Sequence, residues 1–235
     1  MPVSTKHEDE VVIPSGCRTL NGILHVPRHA KGVVVFAHGS GSGRFSPRNQ
    51  HVARELETGG LATLLLDLLE EEESQDRDKV FDIELLATRL QSAAEWLAQQ
   101  PATKTLRLGY FGASTGAGAA LVAAANQPDT VAAVVSRGGR PDLAKERLEA
   151  VKAPALLIVG GDDGVVIDLN KRALRQLNCR KQLVNVPGAS HLFEEPGTLD
   201  EVAQLAREWF VHYLGESPEK PKAQPAEQYS QAAMN

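Results

Sequence analysis

The stretch "LRLGYFGASTGAGAALVAAA", from Leu106 to Ala125, decides the fold of this chain. It begins with apolar residues typical of a buried strand, passes through GASTG at 112–116 and continues almost entirely in alanine and glycine. Alone, the pentapeptide also fits a glycine-rich turn with a solvated serine. Between a strand and a helix, however, it is typical of a nucleophile elbow, a sharp turn that exposes a serine hydroxyl and tolerates only small neighbours. The stretch therefore predicts Ser114 as a catalytic nucleophile.

Segments typical of strands and helices alternate on both sides of this stretch. A hairpin of two short strands is predicted from VVIPSG and TLNGILHVP, and strands buried on both faces are predicted from KGVVVFAHG and LATLLLDLL. Helices are predicted from FDIELLATRLQSAAEWLAQQ, whose apolar residues recur at helical spacing, and from LAKERLEAV. This alternation predicts an α/β fold, with a mostly parallel sheet and helices on both of its faces.

Length and composition favour a single cytoplasmic domain. The chain has 235 residues, 42% of them hydrophobic, which is enough for one sizeable core. We predict a flexible N-terminus over 1–10, one domain over 11–214 and a disordered Pro-rich tail over 215–235. The net charge of −5 gives no reason to expect nucleic acid, and neither a membrane-spanning run nor a secretory signal is visible. Cys17 and Cys179 fit a reduced protein, and we expect a monomer or homodimer.

A serine nucleophile needs a histidine to take its proton and a carboxylate to orient that histidine. His191 lies in the loop VPGASHLFEEPG, directly after the last predicted strand. Asp162 and Asp163 follow another strand in LLIVGGDDGVVI, and the order serine, aspartate, histidine is that of α/β-hydrolases. We predict a triad of Ser114, Asp163 and His191, with Asp162 as the alternative acid.

An oxyanion hole requires two backbone donors beside the nucleophile. The residue after the nucleophile supplies one donor, here the N–H of Thr115. The glycine-rich loop FAHGSGSG follows an earlier central strand, and we predict the N–H of Ser40 as the second donor. A phosphate cradle is the competing interpretation of this loop, but the loop lacks the Lys-Ser/Thr ending of a P-loop.

Together, the motifs HGSGSG, GASTG, GGDDGVV and GASHLF resemble the α/β-hydrolase superfamily, and most closely its dienelactone hydrolase branch of small esterases. The resemblance covers roughly Val11 to Leu214. It implies an eight-stranded sheet whose second strand is antiparallel, and a Ser (or Cys)–Asp–His triad that hydrolyses its substrate through an acyl-enzyme. In that pattern the aspartate is Asp163, the histidine is His191, and the oxyanion residue after His-Gly is Ser40.

Dienelactone hydrolase itself carries a cysteine nucleophile, whereas the elbow here contains Ser114, so we expect a general carboxylic ester as substrate. The segment after VVSRGG is too short for a lid domain, which favours small or short-chain acyl groups. No metal-ligand pattern appears, and the triad needs neither metal nor cofactor. We therefore expect a serine esterase acting on a small molecule. The alternatives are an acyltransferase or thioesterase with the same triad, or a non-catalytic hydrolase-like binding protein.

Charged residues follow several strand ends on the predicted rim of the site. Four arginines on two loops have guanidinium groups suited to a substrate carboxylate, although the same pattern fits solvated loop residues: Arg44, Arg48, Arg137 and Arg140. The acidic run EEEESQDRD, residues 70–78, is typical of a solvated face. We predict no function for the acidic run.

Overall fold

Eight strands form one sheet in a computed structural model that describes residues 8–215. They are β1 (Glu8–Ser15), β2 (Arg18–His25), β3 (Val33–Ala37), β4 (Ala62–Leu66), β5 (Leu108–Ala113), β6 (Val131–Arg137), β7 (Ala155–Gly160) and β8 (Lys181–Val186). The strand order is β1-β2-β4-β3-β5-β6-β7-β8. Strand β2 is antiparallel to both of its neighbours, and the remaining pairs are parallel. The predicted α/β-hydrolase fold, with an antiparallel second strand, is confirmed.

Helices cover both faces of this sheet. They are α1 (Pro47–Thr58), α2 (Glu71–Ser74), α3 (Arg77–Val80), α4 (Ile83–Leu97), α5 (Thr115–Asn126), α6 (Gly164–Gln176) and α7 (Thr198–Gly215). The core has two parts: α4 and α5 contribute to a cluster on one face, and α1 and α7 contribute to a cluster on the other. Strands β3 to β7 are buried or nearly so, as their continuous apolar runs predict.

The small residues of the opening stretch allow α5 to pack directly against the sheet. A Cβ on Gly112 would lie 2.4 Å from the Cα of Ala117, and a Cβ on Gly116 would lie 2.3 Å from the carbonyl oxygen of Ala37. Both distances are far shorter than van der Waals contact. Glycine at these two positions therefore brings the start of α5 against β5 and β3, which sets the position of the residue between them, Ser114.

Two local expectations differ from the structure. The predicted helix at LAKERLEAV is a 3₁₀ segment, Pro141–Ala150, interrupted at Lys145, whose φ is +48°. The acidic run contains α2 and the start of α3, and Glu73 is buried rather than solvated. The 3₁₀ segment is the whole connection between β6 and β7 apart from short turns, so no lid domain is inserted there.

The predicted domain boundaries fall near both ends of the described residues. Strand β1 begins at Glu8, before the predicted boundary at Val11, and α7 ends at Gly215. Of the predicted flexible segment 1–10 and the predicted disordered tail 215–235, residues 1–7 and 216–235 lie outside the described residues, whereas 8–10 belong to β1 and 215 to α7. Within residues 8–215, no helix is both long and apolar enough to cross a membrane.

Candidate active site

Ser114 lies at the turn between β5 and α5, at the carboxyl edge of the sheet. Its φ is +50° and its ψ is −120°, a conformation that L-residues rarely adopt and that is concentrated at functional sites. Its backbone N–H donates to the carbonyl of Arg137, at 3.2 Å, at the end of the adjacent strand β6. A Cβ on Gly39 would lie 3.0 Å from the Cβ of Ser114, so the glycine-rich loop after β3 passes directly beside the serine.

His191 and Asp163 form the second part of the site. The Nδ1 of His191 donates to the Oδ2 of Asp163 at 2.6 Å. The side chain of Asp163 is 15% exposed, and it follows β7 at the start of α6. Asp162 is exposed, and its backbone N–H donates to the carbonyl of Ala189 instead. The pairing therefore favours Asp163 over Asp162 as the orienting acid, and it leaves the Nε2 of His191 as the ring nitrogen that can accept a proton.

The loop that carries His191 lies against the serine turn. A Cβ on Gly138 would lie 3.0 Å from the carbonyl oxygen of His191 and 3.7 Å from its Cε1, so the imidazole packs on the residue that follows β6. Arg137, the residue before Gly138, accepts the hydrogen bond from Ser114. The structure thus brings Ser114, His191 and Asp163 to one edge of the sheet. Their catalytic roles remain a prediction.

Two residues that the sequence did not single out hold this loop in place. The carboxylate of Glu195 accepts a hydrogen bond from the backbone N–H of Ser190 at 3.0 Å. That bond lowers the pKa of Glu195. Phe193 is 2% exposed and has a φ of +56°, which is strained for an aromatic residue. Burial of the Phe193 ring stabilises this unusual backbone, so the loop is anchored on both sides of His191. Neither role has a sequence signal.

His38 holds the glycine-rich loop after β3 in place. Its Nδ1 donates to the carbonyl of Gly39 at 2.9 Å, and its Nε2 accepts from the N–H of Leu68 at 2.9 Å. These two bonds require the neutral ring with its proton on Nδ1. Burial lowers the pKa of His38, which favours the same neutral form. The predicted donor Ser40 follows in this loop and is exposed.

A narrow cleft lies beside Ser114 on the α4 side of the sheet. Its volume is about 10 Å³, about the space for one water molecule. It includes both predicted oxyanion residues and a mostly apolar wall from the segment 69–86: Ser40, Thr115, Leu69, Ser74, Val80 and Leu86. The cleft therefore has room for one carbonyl oxygen of a substrate, with apolar side chains beside it.

A buried ion pair supports the wall of this cleft. Glu73 in α2 accepts two hydrogen bonds from Arg89 in α4, at 2.7 and 2.9 Å, and both side chains are about 5% exposed. Arg89 also donates to the carbonyl of Leu68 at 2.5 Å. Its hydrogen bonds lower the pKa of Glu73 to about 2. The acidic run thus contains one carboxylate, that of Glu73, which stabilises the fold. The sequence does not distinguish it, because its neighbours in the run are also acidic.

Two of the four rim arginines are paired with neighbouring acids. Arg44 donates its backbone N–H to the Oδ1 of Asp67 at 2.6 Å, and its guanidinium donates to the Oδ2 of Asp67. Arg140 donates to both carboxylate oxygens of Asp142, at 2.9 and 2.8 Å. These bidentate contacts hold the loops after β3 and β6 and neutralise both cations. The structure therefore gives Arg44 and Arg140 structural partners. The sequence left open whether the four arginines bind a substrate carboxylate or are solvated loop residues.

The other two arginines differ in their surroundings. Arg48, in the first turn of α1, is 3.5 Å from Glu194, and both side chains are largely solvated. Arg137 is 7% exposed, and its buried Nε has no hydrogen-bond partner within residues 8–215. Its guanidinium lies 5.9 Å from the centre of the Phe193 ring, in the loop that carries His191. Their substrate-binding role also remains a prediction.

A cavity much larger than this cleft is at the opposite edge of the sheet. It has a volume of about 530 Å³ and is lined by the first residues of several strands, including Val33, Leu108 and Val131. Cavity size alone would place a ligand there. The polar groups suited to catalysis are at the other edge, so we place the candidate active site at Ser114. Within residues 8–215, no group of three or more His, Cys, Asp or Glu side chains could hold a metal ion.

The sheet topology, the strained serine turn and the Asp–His pair together define an α/β-hydrolase. The sequence model of the dienelactone hydrolase family matches residues 20–215. The chain belongs to this family.

Relatives of known sequence or structure agree with this assignment. The crystal structure of dienelactone hydrolase from Anabaena variabilis is 59% identical, covers 90% of this chain and 100% of its own, and superposes with a TM-score of 0.87. A Mycobacterium tuberculosis protein, provisionally named a phosphoribosyl transferase, is 58% identical over 207 residues, which are 88% of this chain and 47% of that protein. This chain therefore spans about half the length of the curated relatives it matches most extensively.

A more distant structure has the same fold. A dienelactone hydrolase-like promiscuous phosphotriesterase from metagenomic libraries is 17% identical, with a TM-score of 0.75, and covers 90% of this chain and all of its own. At this identity the likeness shows the fold alone.

Proposed function

We propose that this protein is a serine hydrolase that cleaves carboxylic esters of small or short-chain acyl groups through an acyl-enzyme. The observation that carries the proposal is the strained turn of Ser114 next to a histidine whose Nδ1 is hydrogen-bonded to Asp163 at 2.6 Å. The dienelactone hydrolase that shares 59% of this sequence supports it, because a dienelactone is itself a cyclic carboxylic ester.

Each residue has a defined task in the proposed mechanism. The Nε2 of His191 removes the proton of the Ser114 hydroxyl as its oxygen attacks the ester carbonyl. Asp163 keeps the proton of the imidazole on Nδ1 and stabilises the imidazolium that forms. The N–H groups of Ser40 and Thr115 donate to the oxyanion, and one such donor typically lowers the barrier by about 3 kcal/mol.

The second half of the reaction regenerates the enzyme. His191 gives its proton to the departing alkoxide, so the alcohol part of the substrate leaves on the His191 side. A water molecule then attacks the acyl group, again with His191 as base. The narrow cleft beside Ser40 and Thr115 supports a small acyl group, because a longer one would extend past Leu69 and Val80.

Substitution of the serine tests this function. We expect Ser114→Ala to lower kcat for acetyl esters by about 10⁴-fold or more, because the covalent intermediate can no longer form. Ser92→Ala, which removes a hydroxyl from α4 outside the site, is the matched control and should hydrolyse at the wild-type rate. Circular dichroism checks that both variants fold. A folded Ser114→Ala protein that keeps more than a tenth of the wild-type rate would contradict the proposal.

A further inference from the structure

The cavity at the amino edge of the sheet has the size and the inner surface of a ligand site. Its volume of about 530 Å³ lies within the range of roughly 300–1,000 Å³ that is typical of small-molecule sites. Its inner surface is apolar, since it includes the nearly buried first residues of β3, β5 and β6: Val33, Leu108 and Val131. Leu97, at the end of α4, adds to this surface. The cavity therefore offers apolar surface to part of a small molecule.

The rim of this cavity is cationic. Lys104, Arg107 and Lys152 line it, and Asp129 is the one acid among the lining residues that the structure describes. Three cations against one acid give the cavity a formal charge of +2, although the whole chain carries −5. Lys152 lies 3.7 Å from Asp129, but their side chains are 67% and 92% exposed, so this ion pair is weak. The local excess of positive charge therefore favours an anionic ligand.

The helix end beside the cavity does not cancel this preference. Helix α4 ends at Leu97, and the last carbonyls of a helix carry partial negative charge. Here the hydroxyl of Thr103 donates to the carbonyl of Leu97 at 2.6 Å, and the side-chain amide of Gln100 donates to the carbonyl of Trp96 at 3.2 Å. Because these carbonyls accept hydrogen bonds from the protein itself, they repel an anion in the cavity less strongly.

The cavity is separate from the candidate active site. Strand β5 begins with Leu108, which lines the cavity, and ends with Ala113, next to Ser114. At about 3.3 Å per residue, the length of this strand places the cavity roughly 20 Å from the serine. A small molecule bound in the cavity is therefore out of reach of the Ser114 hydroxyl.

We propose that this cavity is a second, non-catalytic site that binds a small amphipathic anion. The apolar part of the ligand packs on the inner surface, and its carboxylate or phosphate binds Lys104 and Lys152 at the rim. Lysine suits this task because its ammonium group, on a flexible stem, forms charge-assisted hydrogen bonds with either anion. The proposal goes beyond the esterase function and does not depend on it.

A matched pair of fluorescent probes tests this assignment. 8-Anilinonaphthalene-1-sulfonate has an aromatic body and one anionic group, and N-phenyl-1-naphthylamine has the same body without the charge. We expect titration to give one saturable site for the sulfonate, with a Kd at least about tenfold lower than that of the neutral probe. Displacement of the sulfonate by phenyl phosphate and by 3-phenylpropionate then identifies phosphate or carboxylate as the preferred group.

Substitutions locate the bound probe. The double variant Lys104→Glu/Lys152→Glu reverses the charge of the rim, so it should weaken sulfonate binding by about tenfold or more and leave the neutral probe unaffected. Ala98→Trp adds a large side chain at an exposed lining position and should weaken both probes. Lys171→Glu/Arg172→Glu makes the same change of charge at exposed positions of α6 outside the cavity. This matched control should keep the wild-type Kd, and circular dichroism checks that each variant folds.

Blocking the serine separates this site from the proposed function. Protein whose Ser114 has reacted with a fluorophosphonate should bind the sulfonate with the wild-type Kd. Loss of binding in the blocked protein would place the probe at the active site and overturn the proposal. Equal affinity for the charged and neutral probes, or an unchanged Kd in the Lys104→Glu/Lys152→Glu variant, would also overturn it. Absence of ester hydrolysis would contradict the proposed function and leave the assignment of the cavity standing.

Discussion

The two sides of Ser114 differ in how their charges are compensated. On the cleft side, Glu73 is bonded to Arg89, and Arg44 is bonded to Asp67. On the His191 side, Arg137 is equally buried but has no acid partner among the described residues. The paired charges hold loops in fixed positions and contribute to the fold. The unpaired charge of Arg137 has the Phe193 ring beside it, at 5.9 Å, in place of a carboxylate.

The largest expected effect concerns the His191 side. Asp163→Asn should lower kcat by about 10⁴-fold, because an asparagine no longer keeps the imidazole proton on Nδ1. Asp162→Asn is the matched control, because the carboxylate of Asp162 is adjacent in sequence but exposed. This variant should change kcat by less than about threefold. The measurement is steady-state hydrolysis of 4-nitrophenyl acetate. Equal losses in the two variants would show that the 2.6 Å contact with His191 is not the catalytic one.

The next effect tests the ion pair of Glu73 and Arg89 on the cleft side of Ser114. Glu73→Gln should lower the free energy of unfolding by about 3 kcal/mol, because it leaves the guanidinium of Arg89 buried without its carboxylate. The double variant Glu73→Gln/Arg89→Met should recover much of this loss, since neither side chain is then charged. Urea denaturation measures both. If the single variant is as stable as wild type, the wall of the cleft does not depend on this ion pair.

A smaller effect sharpens the description of the cleft. Rates on 4-nitrophenyl esters should fall beyond roughly six acyl carbons, because no lid domain between β6 and β7 offers apolar surface to a longer chain. Each CH₂ group that found such a surface would contribute about 0.8 kcal/mol. Val80→Ala widens the cleft and should shift the optimum towards longer chains. A wild-type optimum at long chains would reveal an acyl groove that this structure does not contain.

The smallest effect is a pH dependence from His38. Burial lowers its pKa, so the unfolded chain binds a proton more readily than the folded one, and stability should fall as pH drops below about 6.5. The charge of Asp67 opposes this effect without exceeding it. His38→Asn should lose less stability than wild type between pH 8 and pH 5.5, a range in which Glu73 stays ionised. Parallel losses in the two proteins would show that His38 does not titrate differently on folding.

Much of the fold could be predicted because its signals are local. Continuous apolar runs identify the buried strands, and the run of small residues around Ser114 follows from the close approach of α5 to β5 and β3. The 3₁₀ segment at Pro141–Ala150 could not be predicted, because its kink at Lys145 reflects packing and not helix propensity. The helix pair inside the acidic run was missed for a similar reason, since tertiary contacts of Glu73 stabilise it.

The candidate site likewise has one part that the sequence predicts and another that it does not. Ser114, Asp163 and His191 follow strand ends in a recognisable order, so the sequence identifies them as candidates. The sequence offers no reason to distinguish the four rim arginines. Only the structure separates Arg44 and Arg140, which have acid partners, from Arg137, which has no acid partner within residues 8–215. Glu195 and Phe193 support the loop that carries His191 through tertiary contacts that no local sequence pattern predicts.

Covalent labelling tests the central claim most directly. A fluorophosphonate probe reacts with an activated serine and stays attached, so peptide mapping by mass spectrometry identifies the nucleophile without any knowledge of the natural substrate. We predict one adduct per chain on Ser114, none in Ser114→Ala, and at least a hundredfold slower labelling in His191→Ala. An unlabelled wild-type protein, or an adduct on any residue other than Ser114, would contradict the account.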